Sequence, residues 1–179
     1  MPGVCFYFQV HQPYRTKKYR VFDVGNDHNY WNSNEGETDN VGVLDKVSSK
    51  CYIPTNNLLL SLLDKYPEFK ISYSLSGVVI DQFERYAPEV LDSFKKLSDT
   101  GRVEILSETY YHSLAFLYSP SEFRKHVQMH KEKIKEVFGQ EPRVFRNTEL
   151  IYNNDIAKEI EEMGYEGILA EGADRVGLA

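Results

Sequence analysis

Cysteine is scarce: Cys5 and Cys51 are the only two in 179 residues. Two thiols cannot supply the disulfide framework of a small secreted domain. Cys5 also falls in a run that reads as a buried strand, which predicts reduced thiols inside a cell. Long apolar runs are missing too. No window approaches the roughly 18 apolar residues of a membrane span. The N-terminus passes into Val4-Cys5-Phe6-Tyr7-Phe8 without a basic region or an apolar leader core. A soluble, cytoplasmic protein with no membrane partner is the expectation. Positive charge is in deficit, with 21 Lys and Arg against 27 Asp and Glu and a net charge of −6. An acidic chain gains nothing from counterion release, so no nucleic acid partner is expected. Neither common Gly-rich phosphate loop occurs, and Ser107 and Ser113 lack a nucleophile elbow.

Aromatic residues, by contrast, make up 13% of the chain, with 13 Tyr and 10 Phe. Such a surplus suits stacking on sugar faces, although most of it belongs to a core. Short apolar runs alternate with amphipathic stretches. Strands are predicted at Val4–Val10, Lys70–Leu75, Val103–Ser107, Val144–Arg146 and Tyr165–Ala170. Between the first two lies Tyr14–Val47, polar, aromatic and irregular, a length that marks a functional loop. A helix carrying Leu59, Leu62, Leu63 and Tyr66 follows and stops at Pro67. Val79–Leu97 is helical with a break near Pro88. Ser119-Pro120-Ser121-Glu122 has the form of a capping box with proline at the first helical position. The helix it opens carries Phe123, Val127, Ile134 and Val137 and ends at Gly139. Asn153 or Asn154 caps a last helix, which Gly164 closes. Strands alternating with helices imply right-handed βαβ units and a parallel sheet, an α/β fold. Five strands are too few to close a barrel. Polar residues gather just past the strand ends, at His11, Glu108–His112, Asn147–Glu149 and Glu171. In parallel α/β folds that edge carries the chemistry.

Three clusters stand out: His11-Gln12-Pro13; Gly101-Arg102-Val103-Glu104 with Glu108-Thr109-Tyr110-Tyr111-His112; and Phe145-Arg146-Asn147-Thr148-Glu149. In order and in strand context they resemble the first three conserved regions of glycoside hydrolase family 57. That family holds α-amylases, 4-α-glucanotransferases, branching enzymes and amylopullulanases. The resemblance covers nearly the whole chain. It implies that residues 1–179 are one partial catalytic domain, the N-terminal portion of an incomplete, seven-stranded (β/α) barrel with parallel strands. It also implies a retaining enzyme that hydrolyses or transfers α-1,4-glucan or maltooligosaccharide chains, without a cofactor. The family's acid/base is an aspartate of a later region, beyond residue 179. The chain alone is therefore expected to be inactive, and its open strand edges are expected to favour self-association.

Carried across residue by residue, Glu149 matches the nucleophile. A carboxylate at a strand end can form a covalent glycosyl-enzyme, and Arg146 is a neighbour able to keep it ionised. His11 matches the substrate-binding histidine, and Gln12 offers a sugar both donor and acceptor. Glu104 matches the second-region glutamate. Residues 104, 106 and 108 share one face of a strand, with Glu104 about 13 Å below Glu108. Position thus favours Glu108 for substrate while the resemblance favours Glu104, and both stay candidates. Tyr110, Tyr111 and His112 are further subsite candidates, with at least one tyrosine expected in the core. Trp31, the only tryptophan, either stacks on a sugar or packs the long loop.

His126 and His130 have the i, i+4 spacing of a helical metal pair. The glutamate that a zincin motif needs is replaced by Val127, so no metal site is expected. A metal-dependent polysaccharide deacetylase would need an Asp pair after the first strand, where His-Gln-Pro stands. The same tripeptide lacks the His-x-Asp of zinc α-mannosidases. The remaining alternative is a non-catalytic glucan-binding or interaction module.

Overall fold

The computed structural model describes residues 3–31 and 39–172. The chain divides into two compact units: Met1–Val10, Lys70–Gly77 and Val103–Ala179 in the first, His11–Phe69 and Val78–Arg102 in the second.

The first unit contains strands β1 (Tyr7–Val10), β2 (Ile71–Leu75), β3 (Val103–Ile105), β4 (Val144–Arg146) and β5 (Gly167–Leu169). All pairings are parallel, in the order β1-β2-β3 and β4-β5, with Phe8 opposite Tyr73 and Ser72 opposite Glu104. A bridge between Ser107 and Phe145 joins the two ladders. There the Ser107 amide donates to the Val144 carbonyl at 2.9 Å, and the Arg146 amide to the Ser107 carbonyl at 2.8 Å. Chain order and spatial order therefore coincide, as short right-handed crossovers require. Of the five residues of β2, all but Ser72 are buried, more than the alternation of Lys70–Leu75 suggests, because parallel strands are covered on both faces.

Helix α5 (Pro120–Phe138) begins as its sequence predicts. The Ser119 hydroxyl accepts from the Glu122 amide at 3.4 Å, Pro120 is the first helical residue, and Gly139 closes the helix at φ 67°. Only half of the expected capping box forms, since the Ser119 amide donates to the Ala115 carbonyl at 2.8 Å. Helix α6 (Asn154–Glu162) is capped by Asn153, whose Oδ1 accepts from the Ile156 amide at 2.8 Å. Phe123, Val127, Phe145, Ile156, Ile160 and Tyr165 form the core between these helices and β4.

The second unit is helical: α1 (Asn40–Val47), α2 (Ile53–Lys65), the continuation of α3 (Gly77–Tyr86) and α4 (Pro88–Asp99). Residues 40–47 were expected to be irregular loop. The Asp39 side chain, which accepts from the Gly42 amide, starts a helix there, and a π-turn over Ser48–Tyr52 carries it into α2. Tyr66 leaves the apolar stripe of α2. As C-cap it is extended at φ −123° and half exposed, because the residue before Pro67 is barred from the helical region. Tyr52, Phe83 and Phe94 pack ring on ring with centroids 5.6–6.1 Å apart, and the Asn56 amide donates to Ser93 inside the same core.

The buried thiol expected at position 5 is not found: Cys5 and Cys51 are both free and exposed. Pairing of β1 with β2 begins at Tyr7, so Cys5 precedes the ladder that would have buried it. Among the described residues no helix is long and apolar enough to cross a membrane.

Candidate functional site

The site lies at the C-terminal ends of β3 and β4, in the first unit. The segments that leave these strands, residues 107–114 and 147–151, are stapled together by hydroxyls. Thr148 Oγ1 donates to the Ser113 carbonyl at 2.9 Å and meets Thr109 Oγ1 at 3.2 Å. The Ser113 amide donates to Thr109 Oγ1 at 2.9 Å, and Asn147 Nδ2 donates to the Ile151 carbonyl at 3.0 Å. Within this clasp His112, Glu149 and Leu150 take left-handed backbone angles, φ 52°, 53° and 56°. Such angles cost non-glycine residues roughly 1–3 kcal/mol and persist where surrounding structure over-determines them. Two of the three residues face each other: His112 Nε2 lies 3.5 Å from Glu149 Oε1.

Glu149 stands directly after β4 with its side chain 72% exposed. His112 is nearly enclosed, and its Nδ1 lies 2.8 Å from Oε2 of Glu108. The Glu108 side chain has no exposed surface, and its Oε1 has no hydrogen-bond partner. The Glu108 amide donates to Nδ1 of His130 at 3.3 Å, and His130 Nε2 donates to the Leu75 carbonyl at 2.7 Å. His130 is fully buried, and that burial pushes its pKa below the ordinary histidine value. Arg146 is buried as well. Its Nη2 donates to Gln9 Oε1 at 2.7 Å, while Nε and Nη1 have no hydrogen-bond partner. The expected pairing of Arg146 with Glu149 is thus replaced by a bond to β1, and His112 takes the place beside the carboxylate. Tyr7, hydrogen-bonded to Ser74 at 2.7 Å, has its pKa raised by burial.

The other expected residues fall as follows. Glu104, on β3, is half-buried between the buried Val103 and Ile105. Tyr110 covers Gly77, whose added Cβ would sit 2.5 Å from the tyrosine ring. Tyr111 is half exposed, edge-on to His126 at 4.9 Å. His126 Nδ1 lies 2.9 Å from Ser113 Oγ, and burial depresses its pKa against the opposing charge of Glu122. Glu171 is exposed past β5, and Asp174, a second acidic residue there, lies outside the described residues.

His11, Gln12 and Trp31 belong to the second unit. His11 is half-buried. The amide of Gln12 is committed at both ends, donating to Tyr52 Oη at 3.3 Å and accepting from Arg15 Nη2 at 2.9 Å. Its carbonyl accepts from Gln82 at 2.6 Å. Trp31 lines a cavity of about 310 Å³ with Tyr14, Asn29, Arg85 and Tyr86. Asn40 holds the Trp31 carbonyl at 2.7 Å.

Sequence reasoning passed over Gln9 and the threonine clasp. Gln9 is a polar residue in an apolar strand, two positions before His11 and so on the same face. That alternation was the available clue.

The site is thus the edge of a parallel α/β sheet with an exposed carboxylate past one strand and a histidine 3.5 Å from it. The chain matches the family model described as "Glycosyl hydrolase family 57" over residues 5–177. It is 44% identical over 174 residues to a Methanocaldococcus jannaschii protein provisionally named alpha-amylase, covering 97% of this chain and 36% of that one. The crystal structure of 4-alpha-glucanotransferase from Thermococcus litoralis superposes with a TM-score of 0.65 at 20% identity, over 92% of this chain and 21% of that one. The alpha-amylase AmyC from Thermotoga maritima gives 0.64 at 15% identity, over 95% and 40%. The chain belongs to glycosyl hydrolase family 57. It spans about a third of the length of the M. jannaschii relative.

Proposed function

We propose that the protein acts on α-1,4-glucans by a retaining mechanism with Glu149 as nucleophile, the two units being parts of one catalytic domain of incomplete (β/α) barrel type. The α-amylase and 4-alpha-glucanotransferase names of its relatives support the substrate class. One observation carries the assignment of Glu149. Its carboxylate is exposed at a strand end, in a left-handed turn, with His112 against one of its oxygens. The other oxygen is left for the anomeric carbon. In the first step a Glu149 oxygen bonds to that carbon while the glycosidic C–O bond breaks and a general acid protonates the leaving oxygen. In the second, water or a sugar hydroxyl attacks the same carbon, gives up its proton to the base and releases Glu149.

Trp31 with Tyr14 and Tyr86 forms a sugar-binding wall, Arg85 and Asn29 supplying the polar contacts. The cavity they line is at the small end of ligand pockets. His11, Tyr111 and Glu104 remain sugar-contact residues in this reading. Gln12, with both ends of its amide engaged, holds the backbone after β1 in place. Metal chemistry has no part, and His126 and His130 serve as hydrogen-bonded struts.

Glu149→Gln in the protein at its full natural length tests the reading, with maltooligosaccharide products resolved by length. Turnover should fall on the order of 10³-fold or more. Retained turnover contradicts the assignment, and binding without turnover by the unmutated protein favours the glucan-binding module.

A further inference from the structure

Of the thirteen tyrosines, all but two have a ring contact, a stacked cation or a hydroxyl hydrogen bond. The two are Tyr118 and Tyr152, which have no such partner among the described residues and are 87% and 49% exposed. They hold the same position in the fold. Tyr118 immediately precedes Ser119, the cap of α5 after β3, and Tyr152 immediately precedes Asn153, the cap of α6 after β4. A large apolar residue there ordinarily packs on the fourth residue of its helix and fixes the entry of the chain. Other residues supply that packing here. The fourth residue of α5, Phe123, is fully buried and edge-on to Phe116 at 5.4 Å. The fourth of α6 is Ala157, too small to hold a ring, and Ile151 packs on the core instead. Each tyrosine is left on the surface, a residue or two past the side chain that turned inward.

Tyr152 is three residues past Glu149, so the two Cα atoms are at most about 11 Å apart. The chain between them is fixed. The Leu150 amide donates to the Asn147 carbonyl at 3.0 Å, the Ile151 amide to the Thr148 carbonyl at 3.2 Å, and Asn147 Nδ2 to the Ile151 carbonyl. Tyr118 stands on the neighbouring crossover. Helices α5 and α6 share one core, and Arg124, the fifth residue of α5, pairs with Glu159, the sixth of α6. They therefore lie side by side with their starts nearly level, and helices so packed run about 8–10 Å apart. The backbone at Tyr118 is held too, its amide and that of Ser119 both donating to the Ala115 carbonyl, at 3.0 and 2.8 Å.

We propose that Tyr118 and Tyr152 form a stacking shelf for an α-1,4-glucan chain, beyond the sugar unit that reacts at Glu149. The inference rests on the reading of Glu149 as nucleophile. A polymer with one unit on Glu149 has its next units within reach of Tyr152, and a chain that follows the sheet edge comes next to Tyr118. Each ring offers a flat apolar face to the C–H face of a pyranose and a hydroxyl at its rim to the sugar hydroxyls. On a fixed backbone, a tyrosine with two side-chain torsions loses little conformational freedom when its ring is covered. One exposed tyrosine needs no explanation. The same placement on two adjacent crossovers, at the edge that carries the nucleophile, is what points to a ligand longer than one sugar.

Tyr118→Ala and Tyr152→Ala in the protein at full natural length test the shelf, with maltotriose and maltoheptaose as substrates. Each substitution should raise KM for maltoheptaose about 2–10-fold, the worth of one aromatic face. The effect on maltotriose should be smaller, because a short chain on Glu149 cannot lie on both rings. Tyr118→Phe and Tyr152→Phe keep the ring and should restore KM. In the absence of sugar the Tm should not change, as for any exposed side chain. An unchanged KM for maltoheptaose in either alanine variant overturns the shelf, and an inactive Glu149→Gln beside it shows that the nucleophile reading survives. A Tm lowered by several degrees in either alanine variant also overturns it, since the ring is then covered by protein rather than open to sugar. A fully active Glu149→Gln, beside tyrosine variants whose KM is raised, removes the nucleophile reading and leaves the shelf as a glucan contact.

Discussion

His130 offers the most direct physical test of how the site is held. Its two ring nitrogens meet partners of opposite kind. The Leu75 carbonyl can only accept, so Nε2 carries the proton, and the Glu108 amide can only donate, so Nδ1 is bare. The neutral ring is saturated and fully buried. A second proton on Nδ1 would face the Glu108 N–H and break the bond that fixes the head of the site. Burial, the largest effect on this group, accordingly depresses its pKa, and the nearby Glu108 charge only partly offsets it. The sign follows. Because the folded value lies below the unfolded one of about 6.5, the unfolded chain binds the extra proton first. Stability from this group is complete above about pH 6.5 and is lost as pH falls beneath it, by up to about 1.4 kcal/mol per unit until the folded value is reached. His130→Leu leaves a buried carbonyl and a buried amide without partners, each costing about 1–3 kcal/mol. A total of about 2–6 kcal/mol is a large fraction of a domain's stability. Urea unfolding of wild type and His130→Leu at pH 7.5 and 5.5 separates this effect from every other titrating group. The wild type should be the more stable at pH 7.5, and its advantage should shrink at pH 5.5. An advantage that stays constant with pH, or none at pH 7.5, refutes the argument.

Two other substitutions probe the same frame. Gly77→Ala puts a methyl group 2.5 Å from the Tyr110 ring. It should cost about 1–3 kcal/mol of overpacking, seen as a lower Tm by circular dichroism; an unchanged Tm contradicts the close approach. Phe145→Ala empties the fully buried centre of the first unit's core, between Phe123 and Tyr165. A loss of about 3–5 kcal/mol is expected in urea titration, and a loss under 1 kcal/mol would mean that the core collapses onto the gap.

The strand–helix alternation was legible because its punctuation is local. Ser119, Pro120, Gly139, Asn153 and Gly164 each act within a few residues of their own position, and each marks the boundary it was read to mark. The start of α1 was missed for the opposite reason, since Asp39 ends a polar stretch in which a capping carboxylate looks like any other loop residue. Cys5 was misplaced because an apolar run does not say where its partner strand begins. At the site, the resemblance pointed to Glu149 as nucleophile, while His112 was read separately as a subsite residue. Their contact depends on the Thr109–Ser113–Thr148 clasp, which joins residues 35 and 39 positions apart and has no short-range signature. The reversal of Arg146 from Glu149 toward Gln9 is long-range in the same way, spanning 137 positions.

The central claim, that Glu149 becomes covalently glycosylated, is tested most directly by trapping. The protein at full natural length is incubated with a 5-fluoro-α-glucosyl fluoride, which should form a slow-turning ester as a Glu149 oxygen bonds to the anomeric carbon and fluoride departs. After acid quench and trypsin digestion, mass spectrometry should find one fluoroglucosyl unit on the peptide 147–158, which lies between the cleavage sites at Arg146 and Lys158. The unit should be absent from Glu149→Gln. A label on Glu104, Glu108 or any other carboxylate, or steady turnover of maltooligosaccharides with inverted anomeric configuration, would contradict it.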